Sequence, residues 1–524
     1  MNTLGVRVRF LPSDIVVDVP PETLVHQAAL QAGVFLDAPC GGKGTCGKCR
    51  VILTDSRGSR SVLACRTIVR EDATVEIPPQ GAPARTAAAV ADVRTAPPDS
   101  RLGVALDIGT TTIAAVLADL RSGKPLTSLT ASNPQYAWGA DVVSRITFAS
   151  QSPEHVRRLH GVLIAAVDRL ITAAGQAAGA DPHRIDRVTV AGNTTMQLLF
   201  LGIDPTPLAT APFQPPIAGA YPVSTAERIG MRTLRPDTPV LLLPNISGWI
   251  GGDTTGVIIA TGIADAPRPL LAVDIGTNGE MVLGSRHGLW ATSTAAGPCF
   301  EGARITYGMR ATEGAISGIS WIDGDLQCET IGEDAEPRGI CGSGLIDAIA
   351  VLRSVGAIDP SGRIPFGEDG VSLPDAVVRR FRPDAADGGG ILLAFSTRGE
   401  ILLTQRDIRE FQLAKAAIRA GISVLLTESD VGGACNLDTL LLAGMFGNSI
   451  NARNAVAVGL IPDMPLEKIR FIGNAACEGA LTVLLQSAAE GMGHPTIGNV
   501  HTVELSARAD FQAAFADAMR LEAL

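Results

Sequence analysis

LGVALDIGTTTIAAVLADL (102–120) and LLAVDIGTNGEMVLG (270–284) are two versions of one unit. Each is an apolar strand, then Asp-Ile-Gly-Thr, then a polar turn, then a second apolar strand. The glycine permits a tight turn and a close approach of backbone to a phosphate. Threonine hydroxyls and backbone N–H groups suit phosphate oxygens. An aspartate at the strand end suits Mg²⁺ held through water, or an attacking water. One such tetrapeptide is a weak signal, because Asp-Gly turns are common. Two copies 167 residues apart, in matching strand contexts, predict two similar half-domains facing each other across a nucleotide cleft.

The duplication continues outward from these turns. RVTVAGNTTM (187–196) and DTLLLAGMFGNSI (438–450) each run a buried strand into Ala-Gly and a polar turn. Long helical patterns precede them at 155–179 and 406–428. GWIGGDTTGVIIATG (248–262), RGICGSGLIDAIAVL (338–352) and FIGNAACEGALTVLL (471–485) each set a Gly-rich turn before an apolar helical run. Small residues at a helix start admit an anion, or let two helices cross closely.

On these motifs, residues 102–524 resemble the ATPase superfamily of actin, sugar kinases and heat-shock chaperones. The resemblance implies a duplicated α/β fold of ribonuclease H type, with a first lobe at 102–265 and a second at 266–524. It would make DIGTTT and DIGTNGE the two phosphate loops, LLLAGMFGN the adenosine motif, and IGGDTTG and GNAACEGA connecting segments. It implies that Asp107 and Asp274 organise Mg²⁺ and water. Gly109, Thr110, Thr111, Thr112, Gly276, Thr277, Asn278 and Gly279 would hold phosphates, and Gly444, Gly447 and Asn448 would line the adenosine pocket. Asp253 is either catalytic or a helix N-cap. Glu280 is a water-positioning residue or, by preference, a solvated strand end. Lys415 and Arg419, one turn apart, could flank adenine but read more simply as helix-surface charges.

The N-terminal part carries a different chemistry. APCGGKGTCGKC (38–49) holds Cys40, Cys46 and Cys49 in C-x5-C-x2-C spacing, and Cys65 follows in LACRT. Iron needs thiolates that converge from a loop able to wrap a compact inorganic core, and glycines 41, 42, 44 and 47 supply that freedom. Three clustered cysteines and one distant one read as a [2Fe–2S] site. A zinc site, which more often shows two separated C-x-x-C pairs, is the alternative. Alternating patterns predict strands at 4–11 and 14–20, a helix at 21–34 begun by Pro21 and Glu22, then strands at 49–53 and 73–78. That order resembles the β-grasp (α+β) ferredoxins, covering residues 1 to 80.

PPQGAPARTAAAVADVRTAPPDSR (78–101), with five prolines and no apolar period, reads as a linker between the two parts, placed at 81–101. As a coil it would span roughly 27 Å. Net charge is −10, and residues 1–82 hold nine Lys/Arg against eight Asp/Glu, so the acidity lies in the remainder. An acidic body argues against nucleic acid. Lys43, Lys48, Arg50 and Arg66 surround the cluster loop, as a steering patch or a solvated rim. No run of eighteen apolar residues indicates a membrane span, and the chain starts directly in strand pattern. The expectation is a cytoplasmic protein. The other five cysteines, 299, 328, 341, 435 and 477, read mostly as small buried hydrophobes.

The combination resembles the reductive activators of corrinoid enzymes, over nearly the whole chain. The resemblance implies an ATP-hydrolysing iron–sulfur oxidoreductase that returns a Co(II) corrinoid protein of a methyltransferase system to Co(I). It also implies a separate low-potential electron donor and a homodimer formed through the ATPase part. The short linker leaves no room for the additional middle domain that some activators carry. Plant-type clusters sit near −400 mV. An acceptor about 150 mV lower would cost roughly 3.5 kcal/mol per electron, which explains a need for ATP. The alternatives are an activator of another low-potential enzyme, such as a 2-hydroxyacyl-CoA dehydratase, a small-molecule kinase with a redox domain, and a chaperone-like module.

Overall fold

The computed structural model describes residues 5–12, 14–32, 34, 36, 49–77, 93–97, 99–217, 223–366, 373–397, 399–429, 431–444, 450–489 and 498–523. Cys40, Cys46, Gly447, Asn448, Lys43 and Lys48 lie outside them, as does most of the expected linker.

The N-terminal part is a five-stranded sheet in the order Ile15–Val19, Val6–Leu11, Ala73–Glu76, Arg50–Asp55, Gly58–Leu63. Val6, Val8 and Phe10 alternate inward from the first strand and are buried with Val51, Leu53 and Val75. The helix Val25–Gln31 covers this face through Val25, Ala28 and Ala29. It starts later than Pro21 and Glu22 suggest. Glu22 has φ 68°, outside the helical region, and Thr23–Leu24 form a short strand paired with Ile68–Val69. The strand Gly58–Leu63 adds to the expected set, because GSRSVL carries no clean alternation.

The larger part contains two six-stranded sheets. The first runs Lys124–Ser132, Thr112–Asp119, Leu102–Ile108, Ile185–Ala191, Pro239–Leu242, Val223–Thr225. The second runs Ile469–Gly473, Thr439–Ala443, Leu270–Ile275, Gly279–Ser285, Gly288–Thr294, Val500–Thr502. Read from the opposite edge, five strands of the second repeat the first five of the first, and the sixth strands, Val223–Thr225 and Val500–Thr502, are added at opposite edges of this shared set. In each, the strand ending in Asp-Ile pairs antiparallel with the strand after its turn and parallel with the Ala-ended strand. The central strands are apolar on both faces because helices cover both sides. Pro153–Ala177 packs on the first sheet and Gln405–Glu428 on the second. Ser152 and Thr404 cap these helices with their side chains.

Two further helices join the sheets. Gly252–Thr261 and Ala475–Ala489 cross where neither has a side chain: a Cβ on Gly479 would stand 2.1 Å from Gly256 O, and one on Gly256 would stand 2.6 Å from Ala476 O. The second of these helices, although it follows the strand Ile469–Gly473 of the second sheet, packs Ala476, Ala480, Val483 and Leu484 against Ala105, Ala191 and Leu241 of the first. The expected spacer also docks before it ends. Arg94 N donates to Leu126 O and Ala96 N to Ala178 O, and Ala96 is buried. Its described end is therefore part of the body rather than free linker.

Gly479→Ala should be overpacked, losing roughly 1–3 kcal/mol and the corresponding several degrees of thermal midpoint. Gly161→Ala is the contrast. It lies exposed in Pro153–Ala177 with nothing within 4 Å of an added Cβ, and should gain about 0.5–1 kcal/mol. Thermal melts of the two variants check both signs.

Candidate functional site

The two Asp-Ile-Gly-Thr turns face each other across a cavity of about 220 Å³ between the sheets. Gly109 N donates to Thr112 O at 3.0 Å, closing the first turn, and a Cβ on Gly109 would lie 2.6 Å from that same oxygen. Gly276 N donates to Asn278 O at 3.0 Å, closing the second. Thr111 Oγ1 and Thr277 Oγ1 meet at 3.3 Å across the cleft. All the predicted phosphate-loop residues except Gly279 line the cavity, and Gly279 begins the strand that leaves the second turn. Gly444 also lines it. Its φ is 97°, and a Cβ added there would stand 2.7 Å from Asp274 Oδ1, which explains why only glycine fits.

Five carboxylates line the cavity, and four of them, Asp107, Asp253, Asp274 and Glu280, act on one another electrostatically. Burial pushes the Asp107 carboxyl up to about 6, opposed by a hydrogen bond from Asn474 Nδ2 at 2.8 Å. Burial pushes Asp253 up to about 7, with the Asp107 charge adding to it. Burial, then the charges of Asp253 and Asp274, hold Glu280 well above the ordinary range. Asp274 is raised to about 7 by burial and by Asp253 and Asp107. Like charges gathered in a low-dielectric cleft attract a cation, but among the described residues no three of these side chains are arranged to ligate one metal ion directly, so a cation here would be held through water.

Three expectations need correction. Glu280 is not a solvated strand end. It sits opposite Asp274 in the strand register, its carboxyl turned into the cluster with Ser293 Oγ at 3.5 Å. Asp253 is not the N-cap of its helix, a position held by Gly251. Its carboxylate accepts from Thr254 N at 2.7 Å and lines the cavity. Lys415 and Arg419 are not surface charges. Lys415 is fully buried, donates to Arg520 O, and is lowered to about 8 by burial and by Arg419. Neither residue lines the cavity.

Several site residues escape a reading of the sequence. Asn193 Nδ2 donates to Thr110 Oγ1 at 3.0 Å, and Asn133 Nδ2 to Gly109 O at 2.9 Å. Asn193 and Asn474 both follow a glycine at a strand end and precede a helix. That Gly-Asn repeat is the signal that could have found them. Glu301, Arg310 and Thr312 come from the irregular stretch after the second sheet's hairpin, where no periodicity marks them. Arg145 is fully buried beneath the first turn and donates to Thr110 O, Gly139 O and Gln135 Oε1.

In the N-terminal part, Cys49 Sγ and Cys65 Sγ are buried 3.2 Å apart. That is too far for a disulfide, which needs about 2.05 Å. Ala64 N donates to Cys49 O at 2.8 Å, pinning the two segments together. Two thiols turned toward one point fit an iron–sulfur group. Of the other five cysteines, Cys299, Cys341 and Cys477 are buried, Cys328 is half-buried and Cys435 is exposed.

Comparison with known proteins gives a consistent picture. Residues 8–70 match the family model of the 2Fe-2S iron-sulfur cluster binding domain, 102–266 the RACo middle region, and 268–523 the C-terminal domain of RACo, the ASKHA domain. The middle region, expected to be absent for want of linker, is thus the first lobe itself. The chain is 36% identical to the corrinoid activation enzyme RamQ of Eubacterium limosum over 399 residues, 74% of this chain and 65% of that relative. It therefore spans a little under two thirds of that relative's length. It is 27% identical to a [Co(II) methylated amine-specific corrinoid protein] reductase of Methanosarcina barkeri, over 74% of this chain and 70% of the relative. A solved structure of a reductive activator for corrinoid, iron-sulfur protein superposes with a TM-score of 0.72 at 29% identity, covering 98% of each chain.

Raised carboxyl groups stabilise the fold below their unfolded value near 4 and lose that contribution as pH rises through their folded values. With Asp107 at about 6 and Asp253 and Asp274 at about 7, the protein in chelator-treated buffer should lose thermal stability between about pH 5 and 8. Asp253→Asn should flatten that decline and melt higher than the parent at the alkaline end. Melts across the pH range decide it.

Proposed function

The chain belongs to the RACo family, and on that premise we propose that it is an ATP-dependent reductive activator passing one electron from a [2Fe–2S] cluster to a Co(II) corrinoid protein. Its product would be the Co(I) state that a methyltransferase system uses. The observation that carries this reading is the meeting of Thr111 and Thr277 across a carboxylate-lined cleft, in the same chain as the converged thiols of Cys49 and Cys65. A nucleotide-driven clamp and a redox site in one polypeptide imply that one is coupled to the other.

In this reading Cys40, Cys46, Cys49 and Cys65 hold the cluster, which supplies a one-electron couple of low potential. Asp107 and Asp274 would hold Mg²⁺, which would neutralise phosphate charge, and Asp253 and Glu280 would orient the attacking water. Thr110, Thr111, Thr112, Thr277 and Asn278 grip phosphates, helped by the open backbone at Gly109, Gly276 and Gly279. Gly444, Gly447 and Asn448 flank the adenosine. Asn193 and Asn474 keep the first turn in shape by holding Thr110 and Asp107. The lobes would open and close about the Gly256–Gly479 crossing. Coupling requires the two states to differ in affinity for the corrinoid partner, and linkage makes that effect reciprocal. Cytoplasmic location, a separate electron donor and a homodimer through the ATPase part belong to the same reading. No helix of the described residues is long and apolar enough to cross a membrane.

The test is anaerobic mixing of the reduced protein with a Co(II) corrinoid methyltransferase component, following Co(I) absorbance with and without MgATP. MgATP should be required. Cys46→Ser should abolish Co(I) formation while leaving nucleotide binding intact, and Asp253→Asn should slow ATP turnover by about 10² or more. Equal Co(I) formation without ATP, or by Cys46→Ser, removes the proposal.

A further inference from the structure

Glu301 is the carboxylate with the least conventional place in the cleft. It ends the short turn Pro298–Glu301. Thr277 Oγ1 donates to its Oε1 at 2.9 Å, and Thr111 Oγ1 donates to its Oε2. One side chain thus engages a hydroxyl from each turn, across the two lobes. Arg310 and Arg145 act on it electrostatically, both favouring its ionised form against burial. Arg310 itself spans the lobes, donating to Ser132 Oγ and lying 5.8 Å over the Tyr136 ring. The hydrogen bonds of Arg145 go to carbonyl, amide and thioether groups, and none to a carboxylate.

Two hydroxyl donors and two guanidinium groups around one anion are the recognition set of a phosphoryl group. A phosphate held by both turns needs the same two hydroxyls. It cannot share them with a carboxylate, because both are acceptors and both are negative in an enclosed space. Holding Glu301 and holding a phosphate between the turns are therefore mutually exclusive. The backbone gives Glu301 a way out. Its turn is bracketed by Gly297 at φ 82° and Gly302 at φ 76°, and Gly297 N is tied to Thr277 O at 2.8 Å.

We propose that Glu301 is an internal phosphate mimic, a positioning residue that competes with the nucleotide for the two turns and must be expelled before they grip it. This rests on the reading of the cleft as a nucleotide site. Expulsion also carries a signal outward. The residues Ala295 to Cys299 of the same turn form a wall of a second interlobe cleft of about 820 Å³, faced from the first lobe by Val143, Phe213 and Trp249. A nucleotide that displaces Glu301 reshapes that wall.

The experiment uses the full chain and three variants. Glu301→Gln keeps the shape but removes the charge and turns one of the two acceptor oxygens into an NH2 donor, Glu301→Asp keeps the charge but shortens the reach, and Glu301→Ala removes both. Titration calorimetry with ATP in Mg²⁺ should show Glu301→Gln and Glu301→Ala binding about ten-fold tighter than the parent, a size usual for coupled equilibria. Glu301→Asp should fall between. Inorganic phosphate at about 10 mM should raise the melting point of Glu301→Ala by several degrees and leave the parent unmoved, since the anion takes the vacated place. Equal or weaker ATP binding by Glu301→Gln, with no phosphate effect in Glu301→Ala, overturns the proposal and makes Glu301 a strut or a nucleotide ligand. Should Glu301→Ala fail to fold, Glu301→Gln decides alone. A parent protein that binds no ATP sinks the nucleotide reading itself, which the variants' relative affinities do not.

Discussion

Two helices cross at Gly256 and Gly479 at a distance that leaves no space for a methyl group. That contact sets the geometry on which the cleft depends. Each sheet presents its Asp-Ile-Gly-Thr turn at the same strand end, because each is built from the same sequence unit in the same order. The turns become a site only when the sheets are brought face to face at one separation. A bulkier crossing would part Thr111 from Thr277 and spread the carboxylates. The helix Ala475–Ala489 tightens the arrangement further, since it issues from the second sheet but buries its apolar side on the first.

The price of that closeness is electrostatic. Asp107, Asp253, Asp274 and Glu280 are gathered where water screens them little, and each is driven toward its protonated form. A fold selected for stability alone would not place them together. Protons relieve that repulsion, and a bound cation would do the same. Arg145 and Arg310 bring the opposite charge to bear on Glu301. The site is therefore polarised, with Asp107, Asp274 and Glu280 on the strands and Asp253 at a helix start forming one acidic group, and the two arginines acting on Glu301. That is the arrangement a metal–phosphate ligand would match.

Legibility differs from element to element. Leu102–Ile108 and Leu270–Ile275 are legible because a buried parallel strand is a continuous apolar run, and the turn after each has its own signature. Long helices are legible from their period. Glu280 is easily misread because a strand's alternation says which face a residue is on, not what stands opposite that face. Lys415 misleads for a related reason: a lysine on a helix is usually solvated, and only the packed tail around Arg520 and Glu522 makes this one interior. Glu301 and Arg310 lie in a stretch without period or motif, so no local pattern points to them.

Local chemistry along the chain determined the duplicated strand-turn-strand units, the ferredoxin-like order and the two Asp-Ile-Gly-Thr turns. Each of these is a short-range relation between residue type, backbone freedom and spacing. Tertiary structure alone decided which carboxylates share a volume, which asparagines brace the first turn, and that one glutamate from a distant segment holds both threonines. Those are relations between residues 24 to 367 positions apart. Distances of that kind are set by how whole sheets and helices pack, and no local preference encodes them.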